Sequence, residues 1–242
     1  MALTTGFVLA RGLPETDGPP GTAVLGRALR RLGAEVRYVT DAATVAPLEA
    51  SLKVLSEPVE IEVFPGGDGE AGARQVLARL RPSHLVAIER PGRAADGDYR
   101  SARGESLSQW NPPLDALFLV GSRAITIGVG DGGNEIGMGS VPRPRLRRAG
   151  IPARIASTVK VMHLVVAGVS NWGAYGIVAH LGRLAGQDLL HTAEEERRLI
   201  SACAAAGAID GITRGNDATV DGVPLEAHTG IVELIRAMGG RP

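Results

Sequence analysis

The sequence predicts an α/β fold, a three-layer α/β/α arrangement around a mostly parallel sheet, with the functional loops at the strand carboxyl ends. Three observations predict it. Short runs rich in Val, Ile and Leu recur along the chain, helical patterns separate them, and the glycines gather where the chain leaves the apolar runs. The runs are continuous rather than alternating, which is expected of strands covered on both faces. Strands alternating with helices at this spacing argue for βαβ units.

Taken in order, strands are expected at Gly6–Ala10, Glu35–Thr40, Val59–Phe64, Leu85–Glu89, Ala124–Val129 and Leu164–Val169. A helix over Thr22–Leu32 sets Leu25, Leu29 and Leu32 on one face, and Ala71–Leu80 does the same with Val76, Leu77 and Leu80. A third helix, Asn171–Leu184, follows the last strand. Thr192 with Glu195 reads as a capping box opening a helix through Ala206. A turn-rich stretch, Asp210–Pro224, then leads to a last helix at about Leu225–Met238. No linker divides the chain, so residues 1–242 are expected to form one domain whose C-terminal helical part begins near residue 190. The segment Pro91–Pro113 is too long and too rich in Gly, Pro and charge for a simple connection, and is expected to be a functional loop or lid.

Composition narrows the function classes. The 242 residues carry 26 basic and 26 acidic side chains, so a strongly electrostatic partner such as nucleic acid or an anionic membrane is not expected. Cys203, the single cysteine, can form neither an internal disulfide nor a thiolate zinc site. The start, MALTTGFVLARG, lacks a basic region and a long apolar stretch, and there is no apolar run of spanning length. The expectation is a cytoplasmic protein. Lys53 and Lys160 are the only lysines; the other basic residues are arginine, which suggests a GC-rich genome rather than a function.

The polar residues worth naming follow the expected strands, in segments 11–22, 90–99, 130–139 and 170–176. In an open α/β sheet, ligands bind outside the strand carboxyl ends where the strand order reverses, so these four segments should converge. Segment 130–139 is the sharpest. Asp131 and Glu135 flank Asn134 among glycines 130, 132, 133, 137 and 139. Glycines let backbone N–H groups form an anion nest, and a carboxylate pair beside it suits a divalent cation. Asp17 reads equally as a turn acid or a ligand. Glu89 is either ion-paired with Arg90 or a site carboxylate. Ser170 and Asn171 suit helix capping, and the same helix N-terminus could cradle a substrate carboxylate. GDGGNE also resembles a signature of haloacid-dehalogenase-type phosphatases, but the only DxD, Asp96–Asp98, lies in a loop and too close to it. The five histidines show no metal spacing. His163, in an apolar run, reads as a core histidine, Trp110 and Trp172 as packing or pocket walls, and Cys203 as core.

Four motifs together, GVGDGGNEIGMG (128–139), AGVSNWGAYG (167–176), AIERPGRAADGDY (87–99) and ETDGPPGT (15–22), resemble the D-glutamate cyclase C-terminal domain family over roughly residues 4–223. The resemblance implies an α/β/α protein converting D-glutamate to 5-oxo-D-proline and water, a hydro-lyase reaction on a small acidic amino acid. Larger members carry an additional N-terminal hydro-lyase-like domain. The resemblance also implies a divalent metal, Mn or Mg, held by Asp17, Glu89, Asp131 and Glu135. Glu89, Asp131 and Glu135 are then the catalytic candidates, with Glu89 as proton carrier. Arg90 would bind the substrate α-carboxylate, and Gly132, Gly133, Asn134, Ser170 and Asn171 would complete the substrate site. The chain departs from the family pattern at Met162, where the resemblance implies an acid. A homo-oligomer is allowed for. Two other readings stay open: a metal-dependent hydrolase such as a phosphatase, and a non-catalytic module binding an acidic amino acid.

Overall fold

A computed structural model describes residues 1–239. In chain order the elements are β1 (Ala2–Thr5), a small hairpin of β2 (Val8–Leu9) and β3 (Leu13–Pro14), α1 (Pro19–Arg31), β4 (Arg37–Thr40), α2 (Val45–Val54), β5 (Ile61–Val63), α3 (Gly69–Leu80) and β6 (His84–Ile88). Then come α4 (Ala116–Leu119), β7 (Ile125–Gly130), α5 (Arg143–Arg148), β8 (His163–Val166), α6 (Ser170–Ala185), α7 (Ala193–Ala205) and α8 (Leu225–Gly239). Six strands form one sheet in the order β5-β4-β1-β6-β7-β8, with every neighbouring pair parallel. The chain steps outward from β1 through β4 to β5, returns to β6 on the other flank of β1, and steps outward again. The reversal between β1 and β6 opens a crevice at the strand carboxyl ends.

Helices cover both faces, as expected of a three-layer fold. On one face, Leu3, Tyr38, Val86, Ile88 and Val129 meet α1 and α6, and Leu199 of α7 and Val232 of α8 join the same cluster. On the other, Val39 and Phe64 pack with Ala73 and Val76 of α3 and with Leu117 of α4. Each fully buried aliphatic side chain here stabilises the fold by roughly 1.5–3 kcal/mol. The capping box at Thr192 and Glu195 is present as expected, and Cys203 is core.

Four expectations need correction. The first parallel strand is Ala2–Thr5, not Gly6–Ala10. Gly6 has φ +111°, and a Cβ there would sit 2.3 Å from Thr44 Oγ1, so the chain turns at Gly6 and the apolar run after it enters the hairpin. Helix α2 was not anticipated; Pro47 lies in its first turn, where the missing N–H has no helical partner to lose. The edge strands β5 and β8 are not covered on both faces: Val63 and Val166 are about half exposed and His163 is exposed rather than core. Finally, Pro91–Pro113 is a packed strap rather than a free lid. Tyr99 and Leu107 share a buried cluster with Phe7, Leu9 and Ile209, and Asn111 accepts from Val8 N at 3.1 Å while donating to Val8 O at 2.7 Å.

Candidate active site

Glu89 follows β6 directly and is held at φ +44°, a left-handed conformation that costs a non-glycine residue about 1–3 kcal/mol. That backbone belongs to the switch-point crevice, where Glu89 is buried. Asp131 follows β7, and Asp17 stands just before Gly18, the N-cap of α1. One carboxylate oxygen from each of Asp17, Glu89 and Asp131 lies within 4.8 Å of the others. Three of the four acids proposed as metal ligands therefore meet, from loops spread over more than 110 residues of the chain.

The N-terminus of α6 organises them. Its first residue, Ser170, donates its backbone N–H to Asp17 Oδ2 at 2.8 Å and to Asp131 Oδ2 at 3.2 Å, and its hydroxyl to Glu89 Oε2 at 2.6 Å. Asn171 N donates to Asp17 Oδ1 at 2.8 Å. In return the Asn171 side-chain oxygen accepts from Gly18 N at 3.0 Å and Gly21 N at 2.7 Å, at the start of α1. Neither helix has a side-chain cap of its own, so α1 and α6 cap each other across the crevice. The positive end of the α6 dipole faces the acids, which favours negative charge there.

Even so, the charges are poorly compensated. Two carboxylate charges no more than 4.8 Å apart repel by at least about 3 kcal/mol at an effective dielectric near 20. Burial pushes the Glu89 carboxyl well above its usual range, and the charges of Asp131, Glu135 and Asp17 push it further. Burial likewise lifts Asp17 against the pull of its backbone hydrogen bonds. Asp131 is driven up to about 11 by burial and by Asp17 and Glu135. Such a set holds either extra protons or a cation. Hard carboxylate oxygens converging from three loops suit a hard divalent cation.

The remaining expected site residues fall elsewhere. Glu135 turns back on its own loop, accepting from Gly132 N at 2.7 Å and Gly133 N at 2.9 Å. It braces that loop and does not join the three clustered acids, and the glycine nest is filled by the chain itself rather than left for a substrate. Asn134 donates to Arg100 O at 2.7 Å and ties the strap to the site. Arg90 is buried in an ion pair with Asp41 and also donates to Gly6 O at 2.8 Å and Pro112 O at 3.2 Å. It is a strut beneath the crevice, not the expected receptor for a substrate carboxylate. Met162 stands before β8, where its N–H meets Thr126 Oγ1 at 2.9 Å. It is at the amino end of the sheet, so the departure there does not touch the acids.

Three site residues escaped the sequence reading. Asp221 lies on a left-handed turn at φ +53°, close enough to Asp131 and Asp17 for its carboxyl to interact with theirs, and burial lifts it to about 6. Glu15 is buried beneath Gly211, and burial, Asp221 and Asp17 raise its pKa well above the usual range. The charge of Arg214 falls on Glu15, and its guanidinium stands 3.4 Å from Glu105 of the strap. The loop carrying Asp221 and Arg214 is gathered by Asp210, which accepts from Ile212 N, Thr213 N, Thr219 Oγ1 and Gly222 N. It is pinned over the acids where Thr16 Oγ1 donates to Thr219 O at 2.7 Å.

The family model described as D-glutamate cyclase-like, C-terminal, matches residues 1–236. The chain belongs to that family. It is 38% identical over 181 residues to a human protein named D-glutamate cyclase, mitochondrial. The match takes in 69% of this chain but 29% of the human protein, so this family member spans less than a third of that relative's length. Among the described residues no helix is long and apolar enough to cross a membrane.

Proposed function

We propose that this family member closes D-glutamate to 5-oxo-D-proline and water at the Asp17–Glu89–Asp131 cluster, with a divalent cation held there. The observation that carries the reading is the convergence of three carboxylates, two buried and one half-buried, on the N-terminus of α6, in a chain of the D-glutamate cyclase-like family. Bound in the cluster, a Mg or Mn ion supplies Lewis-acid polarisation of the substrate's γ-carboxylate. Asp17 and Asp131 are its holders, because both are already fixed by the Ser170 N–H.

Glu89 is the proton carrier. It alone of the three has a hydroxyl rather than a backbone partner, and Ser170 Oγ can relay a proton to or from it. The substrate ammonium must shed two protons as the amine attacks the carboxyl carbon of the γ-carboxylate, Cδ, and the departing oxygen must collect two to leave as water. A carboxyl whose burial favours the protonated form suits both halves of that transfer. In this reading Arg214, the cation facing Glu15, takes the α-carboxylate, and binding the chain folded supplies much of the acceleration for a five-membered ring. A phosphatase is less well supported, because the Gly132 and Gly133 N–H groups that would cradle a phosphate are occupied by Glu135.

The test is incubation with D-glutamate and, separately, L-glutamate, with and without Mn or Mg, following 5-oxoproline by chiral chromatography. Metal-dependent product from the D-isomer alone, abolished by Asp131→Asn, is the expected result. No product under any condition removes this reaction from the chain.

A further inference from the structure

The zero net charge hides an uneven distribution. From Ile136 to Gln187 the chain has seven basic residues and no Asp or Glu. Six of them, Arg143, Arg145, Arg147, Arg148, Arg154 and Lys160, are all exposed. None of the six makes an ion pair among the described residues, whereas twelve of the nineteen other described basic residues do. Unpaired basic residues occur singly elsewhere, Arg31, Arg123 and Arg198 among them, but this segment gathers six with no acid in the chain around them.

Local structure explains the display. In α5 the single apolar residue, Leu146, is buried, which turns the four arginines of this short helix outward. Two grooves meet at Arg143. One, of about 810 Å³, has Leu146, Ile151, Pro152 and Ala156 along it and Arg147 and Arg148 at its edge. The other, of about 640 Å³, runs along Pro142, Thr158, Lys160 and Val161. The surface is firmly based. A Cβ on Gly133 would lie 2.8 Å from Ile151 Cδ1, so Ile151 packs against the bare backbone there, and Ser157 N donates to Gly133 O at 2.9 Å.

We propose that these grooves dock an acidic peptide segment carrying apolar side chains, presented by a partner protein. Guanidinium groups are weakly hydrated and match carboxylates in a two-pronged geometry, so unpaired arginines beside an apolar floor suit a ligand offering both. Nucleic acid fits less well, since no aromatic residue lines either groove to stack a base. A membrane fits less well too, because the exposed side chains of α5 are arginine and proline, with no large apolar group to insert. The proposal is independent of the cyclisation reading.

The probe is a fluorescent peptide of Glu-Glu-Leu repeats, followed by anisotropy on the full chain. Saturable binding that weakens as salt rises is expected, and changing its leucines to serine should weaken it further. R145E/R147E/R148E should lose at least about tenfold in affinity, on the scale of three exposed ion pairs removed together. R31E/R123E/R198E, with the same net charge change at exposed unpaired sites elsewhere, should change it less than about threefold. If the first variant melts early, R145Q/R147Q/R148Q serves in its place. Absence of saturable binding, equal losses in both triple variants, or tighter binding of duplex DNA or phosphatidylserine vesicles would overturn the proposal.

Discussion

Glu89 and Arg90 are neighbours at the end of one strand, yet they enter opposite electrostatic settings. Arg90 runs beneath the crevice to Asp41, beyond β4, and its charge is matched by a carboxylate and two carbonyls. Glu89 turns into the crevice and joins Asp17 and Asp131, whose charges repel its own. On one side of the switch point, buried charge is paired and holds loops together. On the other it is of one sign, and the fold bears the repulsion. The difference separates a structural ion pair from a binding site by physics rather than by position, since both sit at strand carboxyl ends.

Breaking the paired side should have the largest effect on stability. Arg90→Met leaves Asp41 buried without its partner and frees the Gly6 and Pro112 carbonyls. A loss of about 3–5 kcal/mol is expected in urea unfolding, the range for removing one member of a buried pair. A cost under about 1 kcal/mol would show that water reaches Asp41 and that the two sides differ less than the burial implies.

Relieving the unpaired side should act in the opposite sense. Without metal, Glu89→Gln removes one of three repelling carboxyls and keeps its shape. A melting temperature higher by about 2–4 °C is expected, corresponding to roughly 1 kcal/mol in a chain of this size. Mn or Mg should raise the wild-type melting temperature, EDTA should reverse the gain, and the variant should show a smaller gain. Turnover should fall by about 10²–10⁴ if Glu89 carries the proton. A variant less stable than the parent and equally responsive to metal would mean that the Ser170 hydrogen bond outweighs the repulsion.

The seam between the two helices comes next. Asn171→Ala removes the acceptor for Gly18 N and Gly21 N, and should cost about 1–2 kcal/mol, the value of a good N-cap. The Asn171 backbone N–H that fixes Asp17 survives the substitution, but the loosened start of α1 should shift Asp17, and metal affinity should fall with stability. Metal affinity unchanged beside a normal cap loss would make the two helix starts independent.

How much of this was legible follows from where each interaction is local. The layered fold and the four converging loops could be read, and Glu89 and Asp131 stood out because each ends or follows an apolar run; Asp17, which reads equally as a turn acid, joins them only in the folded chain. Arg90 was misassigned because its partner, Asp41, is 49 residues away and nothing in the motif points to it. Glu135 and the glycine nest were misread because the loop satisfies itself, and spacing alone does not tell a nest that awaits an anion from one that already holds one. Asp221 was missed because its place depends on a left-handed turn built by Asp210, far from any strand. The basic surface was hidden for the plainest reason. A net charge is a sum, and the unpaired arginines of α5 are cancelled on paper by acids elsewhere in the chain.

A milder ion pair completes the comparison. Arg27 of α1 meets Glu195 of α7 at 2.6 Å, but Glu195 keeps 27% of its side chain in contact with solvent, against 4% for Asp41. Burial alone would raise the Glu195 carboxyl; the Arg27 guanidinium and the Thr192 N–H outweigh it and bring it down to about 2. A carboxyl depressed in the folded state stabilises above its unfolded value, near 4.3, and that contribution fades as pH falls from about 4 towards 2. Wild type should therefore lose more stability than Glu195→Gln between pH 6 and pH 3, by no more than about 1 kcal/mol because solvent screens the pair. Urea unfolding of both proteins at each pH measures it. If the two curves run parallel, Glu195 does not titrate against Arg27. A gap as large as the Arg90→Met loss would instead mean that exposure is a poor guide to which of this protein's ion pairs hold it together.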